Sequence, residues 1–224
     1  MKLKVLAVVL VSLLAVPSFG QFFEIGTAGF AGGVNNWPDG EAPQFVIDGT
    51  TEKYLNFGIT DTGFAVIPAS GSTIATSIEV WSANDAPERD PTTYEVWGSN
   101  FPAPSDISPG VLIPLAAFEQ ISTGSITLPA DRNPIPGTLD FSTTISFANS
   151  DAYTSYLVVF PTVADVPPAN SMQIAEVQLF DAAGTGIFSP GDAIIGGQVV
   201  PEPSAGILAL LCMIPVMVCI RRRR

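Results

Sequence analysis

Histidine is absent from the 224 residues, and the two cysteines, Cys212 and Cys219, both stand near the C-terminus. The first absence removes the usual general base, the Ser-His-Asp arrangement and the commonest ligand for zinc, copper and iron. The second leaves residues 21–199 without a disulfide framework, a thiolate metal site or a thiol nucleophile. An enzyme built from what remains would work with carboxylates alone, as glycosidases do. The sequence marks no such pair among its acids, so the expectation is a protein without catalytic activity.

Cations are nearly as scarce. Nine Lys and Arg face twenty-one Asp and Glu, a formal charge of −12. Lys2, Lys4 and Arg221 to Arg224 lie at the two ends, so Lys53, Arg89 and Arg132 are all that remain between them. Such a surface repels nucleic acid and anionic membranes, which need Lys or Arg as counter-charge. Nucleic acid is therefore excluded as a partner. Solubility accounts for most of the charge, and divalent ions suit what is left.

The ends carry export chemistry. Lys2 and Lys4 precede an apolar stretch, residues 5–16, and small residues Ser18 and Gly20 follow. That is the pattern of a signal peptide over residues 1–20, cut after Gly20. At the other end Val200, Pro201, Glu202, Pro203 and Ser204 lead into an apolar run, residues 205–220, and then Arg221, Arg222, Arg223 and Arg224. As a helix this run rises roughly 24 Å, the short end of a membrane span. The arginines would stay cytoplasmic. This ordered tail resembles the PEP-CTERM sorting signal. The resemblance implies an exosortase-type membrane protease as partner, cutting near Pro201, Glu202 and Pro203. It also implies membrane anchoring before processing, and the cell surface or extracellular matrix as destination. A permanent single-span anchor is the plainer alternative.

Between the ends the pattern is β. Short alternating runs are separated by Gly, Pro, Asn and Asp, and helical periodicity is missing before the tail. Strands are expected near residues 44–47, 54–57, 63–68, 73–81, 92–97, 112–119, 124–128, 137–147, 153–160 and 172–180. They suggest one antiparallel sandwich over residues 21–181. Residues 182–199, rich in Gly and Ala, read as a last edge segment and a linker to the tail.

The order of these segments carries a second resemblance. Val46-Ile47-Asp48-Gly49 comes early, Tyr94-Glu95-Val96-Trp97-Gly98-Ser99-Asn100 in the middle, and Ile174-Ala175-Glu176-Val177 near the end. This succession looks like the galactose-binding-like jelly roll of discoidin domains and bacterial carbohydrate-binding modules. The resemblance implies a structural calcium ion joining the early loop to the last strand. Calcium takes six to eight oxygens. Asp48 and Glu176 would supply carboxylates, Thr51 a hydroxyl and Ala175 its carbonyl. The alternative is that Asp48 caps a turn and Glu176 faces water.

Loop residues 82–91 hold the densest polar cluster, with Asn84, Asp85, Glu88, Arg89 and Asp90. A self-satisfying loop is expected, with Arg89 pairing Asp85 or Asp90. Sugar modules stack aromatic faces on sugar rings. Trp81 and Trp97 alternate in phase with Glu79 and Glu95, and are expected to cover each other across paired strands. Trp37, on a loop before the first strand, is the candidate for carbohydrate contact. Three functions stay open: a noncatalytic exported module that binds carbohydrate or exopolysaccharide, a surface-display protein without a ligand, and a carboxylate-based glycan-active enzyme.

Overall fold

The computed structural model describes residues 29–33, 37–100 and 112–200. The expected signal peptide (1–20) lies outside the described residues, as does the sorting tail (200–224) except Val200, which ends a strand of the body. Among the described residues no helix is long and apolar enough to cross a membrane.

The strands in chain order are β1 (Gly29–Gly32), β2 (Tyr54–Asn56), β3 (Thr62–Ile67), β4 (Ser77–Trp81), β5 (Thr93–Ser99) and β6 (Leu112–Pro114). They continue with β7 (Glu119–Ser125), β8 (Ser142–Ser146), β9 (Ser155–Phe160), β10 (Met172–Ile174), β11 (Glu176–Phe180) and β12 (Ala193–Val200). A seven-stranded sheet runs β6-β1-β12-β3-β9-β5-β7. A three-stranded sheet, β11-β4-β8, and a two-stranded pair, β10-β2, complete the set. Every pairing is antiparallel. The all-β sandwich expected from the alternating runs is present.

Burial explains the layering. β4 and β5 alternate, with Ile78, Val80, Tyr94 and Val96 inward. They meet Phe64, Val66, Tyr156, Val158, Phe160, Val177 and Leu179 in the main core. β9 is buried at all six positions because both its faces are covered. Its Leu157 and Val159 turn to a second cluster with Phe30, Ala65, Ile113 and Ile195. A central strand buried on both sides loses its alternation and reads as a continuous apolar run.

Four expectations are corrected. Residues 44–47 are not a strand: Pro43–Ile47 form a 3-10 turn, opened by a proline that cannot donate to a ladder. The 172–180 run is divided at Ala175, where the chain leaves one small sheet for the other. The sandwich does not end at Asp181, and the stretch read as a linker contains β12, which lies between β1 and β3. Its glycines are close-approach positions. A Cβ on Gly196 would stand 2.5 Å from the Tyr54 hydroxyl, and one on Gly197 2.2 Å from the Ala31 carbonyl oxygen. Finally, Trp81 and Trp97 belong to different sheets and do not cover each other. Trp81 Nε1 donates to the Leu139 carbonyl at 3.2 Å, and Trp97 Nε1 to Glu95 at 3.0 Å.

The register defines two poles. One holds the Trp81 end of β4, the start of β5, the Thr62 end of β3 and the end of β12. The other holds the Ser77 end of β4, the Ser99 end of β5 and the Ile67 end of β3. Gly29 pairs with Val200, so both ends of the described body leave from the first pole.

Candidate functional site

The first pole gathers the chemistry. Asp48 closes the 3-10 turn, and its Oδ1 accepts the Thr50 backbone N–H at 2.8 Å. Gly49 follows with a φ of 75°, a left-handed conformation that favours glycine. This turn aims the Gly49 N–H at Glu176, whose Oε2 accepts it at 3.2 Å. Glu176 opens β11 opposite Trp81 and is 4 % exposed. Two residues far apart in sequence, Asp48 and Glu176, are thus brought together. Burial pushes the Glu176 carboxyl up to about 8; the Gly49 N–H opposes this, and the Asp48 carboxylate adds to it.

Thr51 and Ala175, the other two expected calcium ligands, are buried at the same junction. Ala175 donates its N–H to the Trp81 carbonyl at 3.1 Å. Among the described residues no group of three or more His, Cys, Asp or Glu could hold a metal. A cation here would therefore rely on two carboxylates, with hydroxyl and backbone carbonyl oxygens for the rest. A hard cation accepts that donor set. The raised Glu176 carboxyl beside a second carboxylate is an arrangement that positive charge would relieve.

The 82–91 loop is stitched, though not by Arg89. Lys53 Nζ, almost wholly buried, lies 2.8 Å from Asp85 and 3.4 Å from Glu41. It also donates to Gln173 Oε1 at 3.3 Å. Gln173 Nε2 in turn donates to the Asp85 and Ala86 carbonyls. Burial pushes the Asp85 carboxyl up, but the hydrogen bond and charge of Lys53 outweigh it and hold the group low. Arg132 reaches Asp90 through two contacts, at 2.7 and 2.9 Å. Burial nevertheless lifts Asp90 to about 6, against the pull of Arg132. Asn133, fully buried, donates to the Ser82 and Phe141 carbonyls and accepts the Asp140 and Phe141 N–H groups.

Arg89 forms no ion pair among the described residues, and its Nε is buried without a partner. The expected Arg89 staple is replaced by Lys53 on Asp85 and Arg132 on Asp90. The reason is reach across the fold: both partners come from other loops, which sequence proximity does not reveal. The signal that could have found them is scarcity, since all three cations between the chain ends converge on this one loop.

Trp37 follows β1 rather than preceding the first strand; it is half-buried and meets Tyr54 edge-on, with ring centroids 6.0 Å apart. The Tyr54 hydroxyl accepts from Asn56 at 2.6 Å beneath it. The sorting residues Pro201, Glu202, Pro203 and Arg221 to Arg224 lie outside the described residues.

No family model matches the sequence, and no curated protein matches it. Solved structures do. The module CpGH89CBM32-5 from Clostridium perfringens, in complex with GalNAc-β-1,3-galactose, is similar at 16 % identity over 66 % of this chain and 91 % of that one, with a TM-score of 0.46. The family 32 carbohydrate-binding module of C. perfringens NanJ, in complex with galactose, is similar at 14 % identity over 68 % and 91 %, with a TM-score of 0.43. The lectin domain of lectinolysin, complexed with Lewis B antigen, shares 12 % identity over 70 % and 93 %, with a TM-score of 0.40.

Proposed function

We propose that this chain is an exported, noncatalytic β-sandwich, membrane-anchored by its C-terminal segment before processing, then placed at the cell surface or in the extracellular matrix and directed at carbohydrate or matrix polysaccharide. The observation that carries this reading is the pairing of Gly29 with Val200. The first and last described residues sit side by side at one pole, which suits a body tethered at that pole and displayed from it. Five residue steps separate Val200 from Ala205. Extended, they reach only about 17 Å, so the first pole stays close to whatever holds the apolar run.

The polar groups of that pole support the noncatalytic part. Asp85 and Asp90 are engaged by Lys53 and Arg132, and Glu176 accepts the turn amide of Gly49. Their role is to join loops. In this reading Asp48, Thr51, Ala175 and Glu176 hold a calcium ion that ties the early turn to β11. An exosortase-type protease acts at Pro201, Glu202 and Pro203, and the protein ends in the extracellular matrix or on the surface.

Mass spectrometry of the mature protein from its host tests the sorting part. Termini at Gln21 and near Pro203 are expected; a cytosolic chain with both ends intact would refute it. A glycan array tests the ligand part, with saturable binding to a defined sugar as the expected result. A surface-display protein without a ligand is the second reading, favoured by the same mutual engagement of polar groups. An empty array with correct processing would select it.

A further inference from the structure

The second pole, away from Gly29 and Val200, carries an open cleft of about 570 Å³. That size falls within the roughly 300–1,000 Å³ of small-molecule sites. β7 supplies Glu119 and Gln120, and the β8–β9 loop supplies Phe147, Asn149 and Asp151, with Tyr153 at its end. Asn149 shapes the loop: its Oδ1 accepts the Asp151 N–H at 3.0 Å and its Nδ2 donates to the Ala75 carbonyl at 3.0 Å. The Tyr153 hydroxyl donates to Glu119 Oε2 at 3.0 Å, and its ring meets Tyr156 edge-on at 6.2 Å. Burial, then the hydrogen bond and charge of Glu119, push the Tyr153 phenol up to about 12, so it stays a donor. The exposed Gln120 amide and Asp151 carboxylate make no side-chain hydrogen bond to another described residue. Tyr153 is buried and fixes Glu119, while the partly exposed Phe147 ring, a free amide and carboxylates are the kinds of group that recognise sugar C–H faces and hydroxyls. No Lys or Arg is among the described residues that line the cleft, so an acidic sugar would meet uncompensated negative charge.

Resting on the carbohydrate reading above, we infer that this distal cleft is the glycan site, and that it takes neutral or amine-bearing sugars rather than acidic ones. Its placement fits the tether. A polymer can enter the cleft while the opposite pole is still held.

The test uses the mature protein from its host, with dextran, chitosan oligomers and polygalacturonate as probes in calorimetry. Dextran or chitosan binding is expected, with polygalacturonate weakest. Gln120→Ala and Phe147→Ala are expected to weaken binding at least tenfold. Asp151→Asn should reduce chitosan binding selectively. Unchanged melting of Gln120→Ala keeps the result free of folding effects. Binding that survives these changes but is lost in Trp37→Ala moves the site to the other pole and overturns the inference while sparing the carbohydrate reading. Preference for polygalacturonate overturns the ligand class. Binding to none of the three, with an empty array, removes both.

Discussion

The Gly49 backbone amide and the Glu176 carboxylate meet at 3.2 Å across 127 positions of sequence. The contact fixes the turn after Val46-Ile47 to the first residue of β11. Burial at this junction holds the Glu176 proton up to about 8, against an ordinary 4.5, although the Gly49 N–H pulls the other way. A folded-state pKa raised in this way stabilises the fold fully below the unfolded value and loses that contribution as pH rises through the folded value. In excess chelator the melting temperature is therefore expected to fall between about pH 4.5 and pH 8, and Glu176→Gln should flatten the profile. Calcium, if held by Asp48 and Glu176, raises the melting temperature more at pH 8 than at pH 5. Identical melting curves with chelator and with calcium across this range would remove the metal from the account.

Arg132 and Asp90 form the second stitch. Removing the cation leaves a poorly solvated carboxylate, a loss on the order of 3 kcal/mol. Arg132→Ala is expected to show this in urea unfolding at pH 7. Arg89→Ala should cost clearly less, because its guanidinium pairs with no carboxylate among the described residues. The reverse order would restore Arg89 as the staple.

How much of this was readable beforehand differs by element. The alternating runs around Ile78-Val80 and Tyr94-Val96 gave strands with the correct inward faces, because half-buried strands write their burial into a period of two. The junction of Asp48 with Glu176 was also legible, though only through the order of motifs. β12 was not. Gly196 and Gly197 look like linker residues until the neighbouring strand and the Tyr54 hydroxyl are in place. Nor were the partners of Lys53 and Arg132, since ion pairs between loops leave no local trace. The break at Ala175 left only a faint trace, a shift of the apolar positions from Met172 and Ile174 to Val177 and Leu179 across it.

β12 gives a direct check on the extent of the body. A chain ending at Asp181 lacks the strand between β1 and β3 and exposes two unpaired edges. It is expected to be insoluble, whereas a chain ending at Val200 should melt cooperatively. A well-folded protein ending at Asp181 would return residues 182–199 to the role of linker.

Gly63 is the tightest point of the large sheet. A Cβ there would lie 2.0 Å from the Val158 carbonyl oxygen. Gly63→Ala should push β3 from β9 and cost on the order of 3 kcal/mol. Unchanged stability would mean that the two strands part more readily than their pairing implies.

The placement of Lys53, Arg89 and Arg132 around one loop leaves the molecule electrically lopsided along its length. Every described cation sits at the first pole, and the described residues of the far pole carry carboxylates with no basic side chain among them. If copies are displayed as proposed before processing, they would turn like-signed tips toward their surroundings and hold one another apart at low ionic strength. Divalent ions would draw such copies together, so on the proposed display their spacing would follow the mineral content of the medium.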